Sequence, residues 1–307
     1  MKLGITPWDF ADRTATGLTR QAALAESFGY DSFWLPENHF STNAIPDPLM
    51  LLAGVAAGTA SIRLATTSYL LPLRNPLQAA EQVAVLDQLS EGRVTLGIGR
   101  GYAPTMLQAF NVPAKEKRQR FETCLNIMRQ AWAGEPVILD DSGNSVTLNP
   151  LPVQRPHPPL WVAAFGPKAL AQAGRLGLPY LASPMETMST LEANYERHNQ
   201  AVTAAGHAQI SIVPVMRTVF VASAGRHATQ VRDRLQAEAG KSGRLADDAT
   251  VDDWSIVGEA AFVRDKILEY KERLNVSHLI VTRLRIGGID ESAVRKSVET
   301  VVDVVNG

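Results

Sequence analysis

Several residue patterns that mark common functional classes are missing from this chain. It has a single cysteine, Cys124, which excludes an internal disulfide framework. It has no His-x-His, no HExxH and no cysteine pair, so we expect no dedicated metal site. It also has no G-x-S-x-G, and no lysine stands at the end of a predicted strand, which argues against a Schiff-base aldolase.

Charge and hydropathy argue against two kinds of partner. The chain has 30 Lys and Arg against 31 Asp and Glu, a formal net charge of −1, so there is no electrostatic case for nucleic acid or an anionic membrane. The longest apolar run, Pro48–Ala60, is too short to span a bilayer. Asp9 and Asp12 occupy the segment where a signal peptide needs its apolar core, so we expect a cytoplasmic protein.

Short apolar runs alternate with helical patterns along the whole chain of 307 residues, of which 45% are hydrophobic. We predict eight strands, at Lys2–Thr6, Asp31–Pro36, Leu64–Leu71, Arg93–Gly99, Leu160–Ala164, Tyr180–Ser183, Ile210–Ala222 and His278–Leu284. Because helical patterns separate most of them, we predict an α/β fold, a (β/α)8 TIM barrel with insertions, as one domain over residues 1–307. A doubly wound open sheet is the alternative.

Two segments interrupt the alternation. Residues 135–159 hold Gly143-Asn144 between short β-like runs, followed by a proline-rich stretch, and predict a hairpin-like insertion rather than a domain boundary. Residues 240–257 are polar and lack periodicity, and we predict a mobile loop there.

The segment 61–104 carries the most information about function. Asn75 and Pro76 predict a capped helix start between two strands. In the second strand, Arg93–Gly99, bulky side chains alternate with Thr and Gly, so one face packs on helices and the other leaves space for a ligand. Arg100 follows between two glycines, and its guanidinium offers a fork for two phosphate oxygens.

A second candidate anion site lies at Phe165-Gly166, where a predicted strand ends and Pro167 begins a helix. Backbone N–H groups at a helix N-terminus attract anions. The glycines at 97, 99 and 101 do not form the dinucleotide fingerprint, because position 102 is tyrosine and the motif follows the fourth strand. The residues themselves therefore predict a cofactor that bears a phosphate.

The chain resembles the bacterial luciferase-like family of flavin-dependent oxidoreductases. Four segments carry the resemblance: AESFGYDSFWLPENHF (25–40), RLATTSYLLPLRNPLQAAEQVAVLDQLSEGRVTLGIGRGYAP (63–104), PLWVAAFGPKALAQAGRLGLPYL (159–181) and SIVGEAAFVRDKI (255–267). The family implies a (β/α)8 barrel that binds reduced FMN or, in another branch, the deazaflavin coenzyme factor 420.

The resemblance also implies roles for individual residues. The Arg100 side chain and the backbone around Tyr102 would contact the cofactor phosphate. A non-prolyl cis peptide beneath the isoalloxazine ring would fall at Thr67–Ser68, and Gly99 would let oxygen or substrate approach the reactive carbon. The candidate cofactor-binding residues are Thr67, Ser68, Gly99, Arg100, Gly101, Tyr102, Phe165 and Gly166.

One position departs from the family pattern. The family commonly has Glu-His-His-Phe where this chain has Glu37-Asn38-His39-Phe40, and in the luciferases the first histidine is the functionally important one. Asn38 cannot exchange protons near neutral pH, which argues against light emission. His39 can act as acid or base or can orient Glu37, and Glu37 can orient a neighbour or touch the ring. Glu37, Asn38 and His39 are the catalytic candidates.

The resemblance favours a monooxygenase that uses reduced FMN and dioxygen on a small organic substrate. A separate flavin reductase would supply the reduced FMN, because nothing here resembles a nicotinamide-binding module, and a homodimer is expected. A deazaflavin-dependent hydride-transfer dehydrogenase or reductase is the alternative enzyme. A flavin-binding protein without catalysis is the alternative from another class, supported by the loss of a histidine at position 38.

Overall fold

A computed structural model describes residues 1–239, 245 and 248–307. The strands are β1 (Lys2–Ile5), β2 (Ser32–Leu35), β3 (Arg63–Thr66), β4 (Tyr69–Leu70), β5 (Val94–Gly99), β6 (Val137–Ile138), β7 (Ser145–Val146), β8 (Leu160–Ala163), β9 (Tyr180–Leu181), β10 (Pro214–Val221), β11 (Ser255–Gly258) and β12 (His278–Thr282). The helices are α1 (Ala15–Phe28), α2 (Pro48–Ala57), α3 (Pro76–Leu89), α4 (Pro104–Ala109), α5 (Lys117–Trp132), α6 (Pro167–Arg175), α7 (Met188–Ala204), α8 (Gly225–Ala239), α9 (Val251–Trp254), α10 (Ala260–Leu274) and α11 (Glu291–Asn306).

The described residues form two compact units. The first unit comprises Met1–Ala11, Gln21–Phe33 and Ala164–Gly307, and the second comprises Asp12–Arg20 and Trp34–Ala163. In the first unit β10 lies between β11 and β12, β1 pairs with β12, and the start of β2 pairs with β1, all in parallel. In the second unit β5 pairs in parallel with β3, β4 and β8. The α/β class is therefore confirmed, whereas the strand pairing does not confirm closure into a (β/α)8 barrel.

Strand β5 lies in the core of the second unit, and all of its residues are buried. Its Leu96 pairs with Leu160 of β8, and Leu64 of β3 pairs with Val94. The structure confirms the helix start predicted at Asn75 and Pro76. The Asn75 side chain accepts hydrogen bonds from the backbone N–H groups of Leu77 and Gln78 in α3.

Helices α6 and α7 pack closely in the first unit because a glycine lies at their contact. A Cβ on Gly174 would lie 2.6 Å from the backbone oxygen of His198 and 2.6 Å from the Cβ of Ala201. Real Cβ atoms do not approach other heavy atoms so closely, so a larger side chain would force the two helices apart.

The structure corrects three sequence predictions. The strand predicted at Leu64–Leu71 is divided into β3 and β4, and helix α4, between β5 and α5, was not predicted. In the predicted mobile loop 240–257, residues 240–244 and 246–247 lie outside the described residues. The loop assignment is wrong for residues 251–257, which form α9 and most of β11, because the buried run Ser255–Gly258 pairs with β10.

Two further features bear on the predicted organisation. Strands β6 and β7 form an antiparallel pair within residues 135–159, where the hairpin-like insertion is predicted. Across the described part of the chain, none of the helices combines the length and the apolar character that a membrane-spanning segment needs. The assignment of residues 1–307 to one domain stays a prediction.

Candidate active site

A buried carboxylate, Glu37, organises the backbone that follows β2 in the second unit. Its side chain is fully buried, and both Nε2 of His39 and Nη1 of Arg74 lie 2.9 Å from its Oε1. The backbone N–H of Leu70 donates to its Oε2 at 3.0 Å. These donors provide the hydrogen bonds that a buried carboxylate needs, because burial without such partners would strongly disfavour its charged form.

His39 connects this carboxylate to two phenylalanine rings. The imidazole centroid lies 4.8 Å from that of Phe110, edge-on, and 5.7 Å from that of Phe40. The phenylalanine rings stack on each other at 5.8 Å. Glu37 on one side and aromatic rings on the other fix the imidazole, which suits a group that must hold a proton at a defined place.

Asn38 closes a loop. Its Oδ1 accepts the Ile45 N–H at 2.9 Å, and its own N–H donates to the Ile45 oxygen at 3.0 Å. These bonds join the two ends of the loop 38–45 and give Asn38 a structural role. A contact between Asn38 and a reacting group stays a prediction.

Residues Thr67–Leu70, which we call the shelf, lie against the end of β5. The Thr67–Ser68 peptide bond is cis, as predicted. Leu70 pairs with Gly99 of β5, and a Cβ on Gly99 would lie 2.1 Å from the Ser68 Oγ. A side chain at position 99 would therefore force the Ser68 hydroxyl to move and would crowd the Ser68 Cβ, 3.1 Å away. Contact between the shelf and a flavin ring stays a prediction.

Arg100 follows β5 and is buried. Its Nη2 donates to the Ala163 oxygen, at the end of β8, at 2.9 Å, and its guanidinium lies 5.6 Å from the centroid of the Phe121 ring. Burial, with a smaller contribution from Arg118, lowers the pKa of Arg100 to about 10. The surroundings thus disfavour its positive charge, and a bound anion would compensate for that.

Two further cations lie at the start of α5. Lys117 Nζ donates to the Gly101 oxygen at 3.3 Å, and burial together with Arg100 and Arg118 lowers the pKa of Lys117. The first turn of α5 reads Lys-Arg-Gln-Arg, whereas the positive end of a helix dipole favours acidic residues there. Because the helix terminus and Arg100 both repel these cations, the arrangement fits a doubly charged phosphate.

The chain turns sharply after Arg100. Gly101 has φ of +70°, and a Cβ there would lie 2.5 Å from the Met106 Cε. Tyr102 comes next and is 74% exposed, so its side chain is accessible to a ligand. Helix α4 then returns the chain to Phe110, beside His39.

Phe165 and Gly166 belong to the first unit and connect β8 to α6. Gly166 is the N-cap of α6 with φ of +80°, and among the described residues nothing lies within 4 Å of the place its Cβ would occupy. Pro167 begins the helix, as predicted, and Phe165 is 60% exposed. This open helix N-terminus is consistent with anion binding. Its participation in one phosphate site with Arg100 stays a prediction.

Three cationic residues near the site were not predicted from the sequence: Arg74, Lys117 and Arg118. Arg74 precedes Asn75 and was covered by the interpretation of that stretch as a helix start. The signal that could have found it is a lone charged residue in an otherwise apolar segment. Lys117 and Arg118 have a clearer signal, since basic residues at a helix start oppose the usual preference for acidic ones.

Several known sequences are similar to this one. The sequence model of the family described as luciferase-like monooxygenase matches residues 4–276. Uncharacterized protein y4vJ of Sinorhizobium fredii is 30% identical over 219 residues, 69% of this chain and 56% of that protein. The alkanal monooxygenase alpha chain of Photorhabdus luminescens is 25% identical over 194 residues, 62% of this chain and 54% of that protein. The chain spans little more than half the length of these two relatives.

Three solved structures share the fold. Monooxygenase RslO1 from Streptomyces bottropensis is 25% identical with a TM-score of 0.84, covering 100% of this chain and 99% of that one. The oxygenating constituent of 3,6-diketocamphane monooxygenase of Pseudomonas putida, a type II Baeyer–Villiger monooxygenase in complex with FMN, is 22% identical with a TM-score of 0.82, covering 99% and 97%. An F420-dependent secondary alcohol dehydrogenase with an F420–acetone adduct is 19% identical with a TM-score of 0.79, covering 99% of each chain. The last two likenesses show the fold alone.

Proposed function

The chain belongs to the luciferase-like monooxygenase family, and we propose that it is a flavin-dependent monooxygenase that uses reduced FMN and dioxygen on a small organic substrate. The similarity to RslO1 supports oxygenation as the reaction class. The Baeyer–Villiger enzyme of the same fold contains FMN, which supports that cofactor.

The observation that carries the proposal is the cationic cluster beside the shelf. Arg100 immediately follows Gly99, which pairs with Leu70 of the shelf, and Lys117 donates to the next residue, Gly101. The donor set suits a phosphate, and the shelf, which fills the side-chain position of Gly99, would lie beneath a flat ring. The residues present therefore fit FMN.

Each residue of the site has a defined part in the proposal. Bound reduced FMN would supply the electrons that activate dioxygen. Arg100 and Lys117 bind the phosphate, and the shelf supports the ring. Glu37 accepts from Nε2 of His39, so Nδ1 of the neutral imidazole can accept a proton from a reacting group. Phe40 and Phe110 cover the imidazole and limit its access to water.

A deazaflavin-dependent dehydrogenase is the alternative enzyme. An F420-dependent alcohol dehydrogenase shares the fold, and the Glu37–His39 pair supports this alternative. Hydride removal from an alcohol requires a base for the hydroxyl proton, a part that a carboxylate-oriented imidazole can take. A flavin-binding protein without catalysis is favoured by Asn38, whose amide oxygen accepts a backbone hydrogen bond in the loop 38–45.

An anaerobic titration with reduced FMN and with reduced factor 420 tests the proposal. Tighter binding of reduced FMN, followed by oxygenation of a member of a panel of ketones, aldehydes and aromatic compounds on admission of air, is the expected result. Tighter binding of factor 420, with reduction of the oxidised form by alcohols, would favour the dehydrogenase. Flavin binding without turnover of any panel member would favour the non-catalytic alternative, and binding of neither cofactor contradicts all three.

Three further expectations accompany the proposal. A separate flavin reductase supplies reduced FMN, two copies of the chain form a homodimer, and the protein works in the cytoplasm. Size-exclusion chromatography with light scattering tests the second of these, and a reconstituted reaction with a purified reductase tests the first.

A further inference from the structure

We propose that Arg74 is a positioning residue that fixes both the surface under the flavin ring and the imidazole of His39. The part that concerns the ring rests on the proposed function, because it assumes that the ring lies on the shelf. Arg74 acts through its neighbours, Leu70 and Glu37, and the part that concerns His39 holds whether or not a flavin binds.

The first step is a clamp on one peptide unit of the shelf. Nη1 of Arg74 donates to the backbone oxygen of Leu70 at 2.9 Å, while the backbone N–H of Leu70 donates to Oε2 of Glu37 at 3.0 Å. Arg74 and Glu37 are themselves joined at 2.9 Å. Both polar backbone groups of Leu70 are therefore held by side chains that also hold each other, which restricts its position on both sides.

The second step extends the clamp along the shelf. The Arg74 guanidinium lies over the Tyr69 ring, 3.7 Å from its centroid, and the Tyr69 hydroxyl donates to Gln82 of α3 at 3.1 Å. Tyr69 is fully buried and directly follows Ser68. Arg74 thus contacts two consecutive residues of the shelf, and lysine could not reproduce both the planar stack and the hydrogen bonds.

The third step reaches the imidazole. Glu37 Oε1 accepts from both Arg74 and His39, so Arg74 fixes the carboxylate that in turn fixes the ring. Without Arg74, Oε1 of the fully buried Glu37 would keep only His39, and the carboxylate would be held by His39 and the Leu70 N–H alone. A carboxylate held by a second group is what keeps a proton-transferring imidazole in one tautomer.

Arg93 provides a matched control. It lies in the same unit just before β5, and its guanidinium donates to four backbone carbonyls, those of Ala56, Thr59, Ile62 and Ser90. Like Arg74 it is half-buried and holds backbone in place. It does so at the opposite end of β5 from the shelf, so its loss should lower stability without moving the site.

The experiment compares wild type with Arg74→Lys, Arg74→Met and Arg93→Met. Binding of reduced FMN and of reduced riboflavin is measured anaerobically by calorimetry, and the His39 ring nitrogens are followed by ¹⁵N NMR in the protein without flavin. We expect Arg74→Met to lower the affinity for both flavins about tenfold or more. The affinity of Arg74→Lys should fall between those of Arg74→Met and wild type. Arg93→Met should change the affinity for neither flavin by more than about twofold. In wild type the neutral imidazole should carry its proton on Nε2, and Arg74→Met should weaken that preference.

Each outcome decides a separate point. Wild-type affinity for both flavins in the Arg74 variants overturns the role of Arg74 at the shelf, and an effect on FMN alone assigns Arg74 to phosphate binding instead. A wild-type imidazole protonated on Nδ1, or His39 signals unchanged in Arg74→Lys and Arg74→Met, overturns its role at His39. A wild-type protein that binds neither flavin contradicts the proposed function, yet the NMR result still tests the clamp. If Arg74→Met does not fold, Arg74→Lys and the wild-type tautomer carry the test.

Discussion

Replacing Arg100 with alanine should weaken the binding of FMN and leave the binding of riboflavin nearly unchanged, because only FMN carries the phosphate. The structure supports this separation. Arg100 lies after Gly99 with its Nη2 on the Ala163 oxygen, and Lys117 and Arg118 share its surroundings. In the proposed site the ring contacts belong to the shelf, which Arg100→Ala does not touch.

The expected size of the effect follows from the burial and the neighbours of Arg100. A hydrogen bond to a charged group contributes about 1.5–3 kcal/mol, which corresponds to a loss of about 10- to 150-fold in affinity. Arg100 is only 7% exposed, so solvent screens its attraction for phosphate weakly. This weak screening favours a loss in the upper part of that range. Lys117 and Arg118 remain in the variant and favour the lower part.

The assay is a pair of anaerobic titrations, with reduced FMN and with reduced riboflavin, for wild type, Arg100→Ala and Arg120→Ala. Arg120 is the control because it is an exposed arginine of the same helix start that pairs with Glu116. The control should bind both flavins as wild type does. Equal weakening of both flavins by Arg100→Ala would show that the residue supports the ring or the fold, and unchanged FMN affinity would remove it from the site.

Three other predictions follow from the structure. Gly99→Ala should weaken the binding of both FMN and riboflavin, because the alanine Cβ would lie 2.1 Å from the Ser68 Oγ. Wild-type affinities for both flavins would refute this close approach. Gly174→Ala should destabilise the protein by about 1–3 kcal/mol, because its Cβ would lie 2.6 Å from the His198 oxygen; urea unfolding measures this, and a wild-type midpoint contradicts it. Burial raises the pKa of the Glu186 carboxyl, so the folded chain binds this proton more tightly than the unfolded chain does. The contribution of Glu186 to stability is therefore full below the pKa of the unfolded chain and falls as the pH rises towards the pKa of the folded chain. Glu186→Gln should remove that decline in melting curves between pH 4 and 8, and an unaltered pH profile would be evidence against it.

Local patterns of residues in the sequence were sufficient to predict parts of this structure. Asn75 followed by Pro76 specifies a helix start through the asparagine side chain and the proline ring, and the alternation in Arg93–Gly99 specifies a strand. Such features depend on neighbours within a few residues. The space predicted beside the glycines of this strand is not open at Gly99, because the Ser68 Oγ lies where a side chain would be. The Thr67–Ser68 cis peptide was expected through the family resemblance, since no local pattern of residues specified it.

Features that depend on distant contacts were not predictable in the same way. The four residues of β11 form a strand because they pair with β10 about 40 residues earlier, and their own pattern is too short to show periodicity. Arg74 gains its role from Glu37, which lies 37 positions away and two strands earlier. Asn38 likewise differs from the family pattern in a way the sequence shows, but its bond to Ile45 depends on a loop that only the structure defines.

A crystal structure of the chain grown anaerobically with reduced FMN would test the flavin site most directly. We expect the phosphate to lie within about 3 Å of the Arg100 guanidinium, with Lys117 close to it and the ring against Thr67–Leu70. A phosphate bound away from Arg100, or a ring that does not touch the shelf, would show that the end of β5 is not the flavin site.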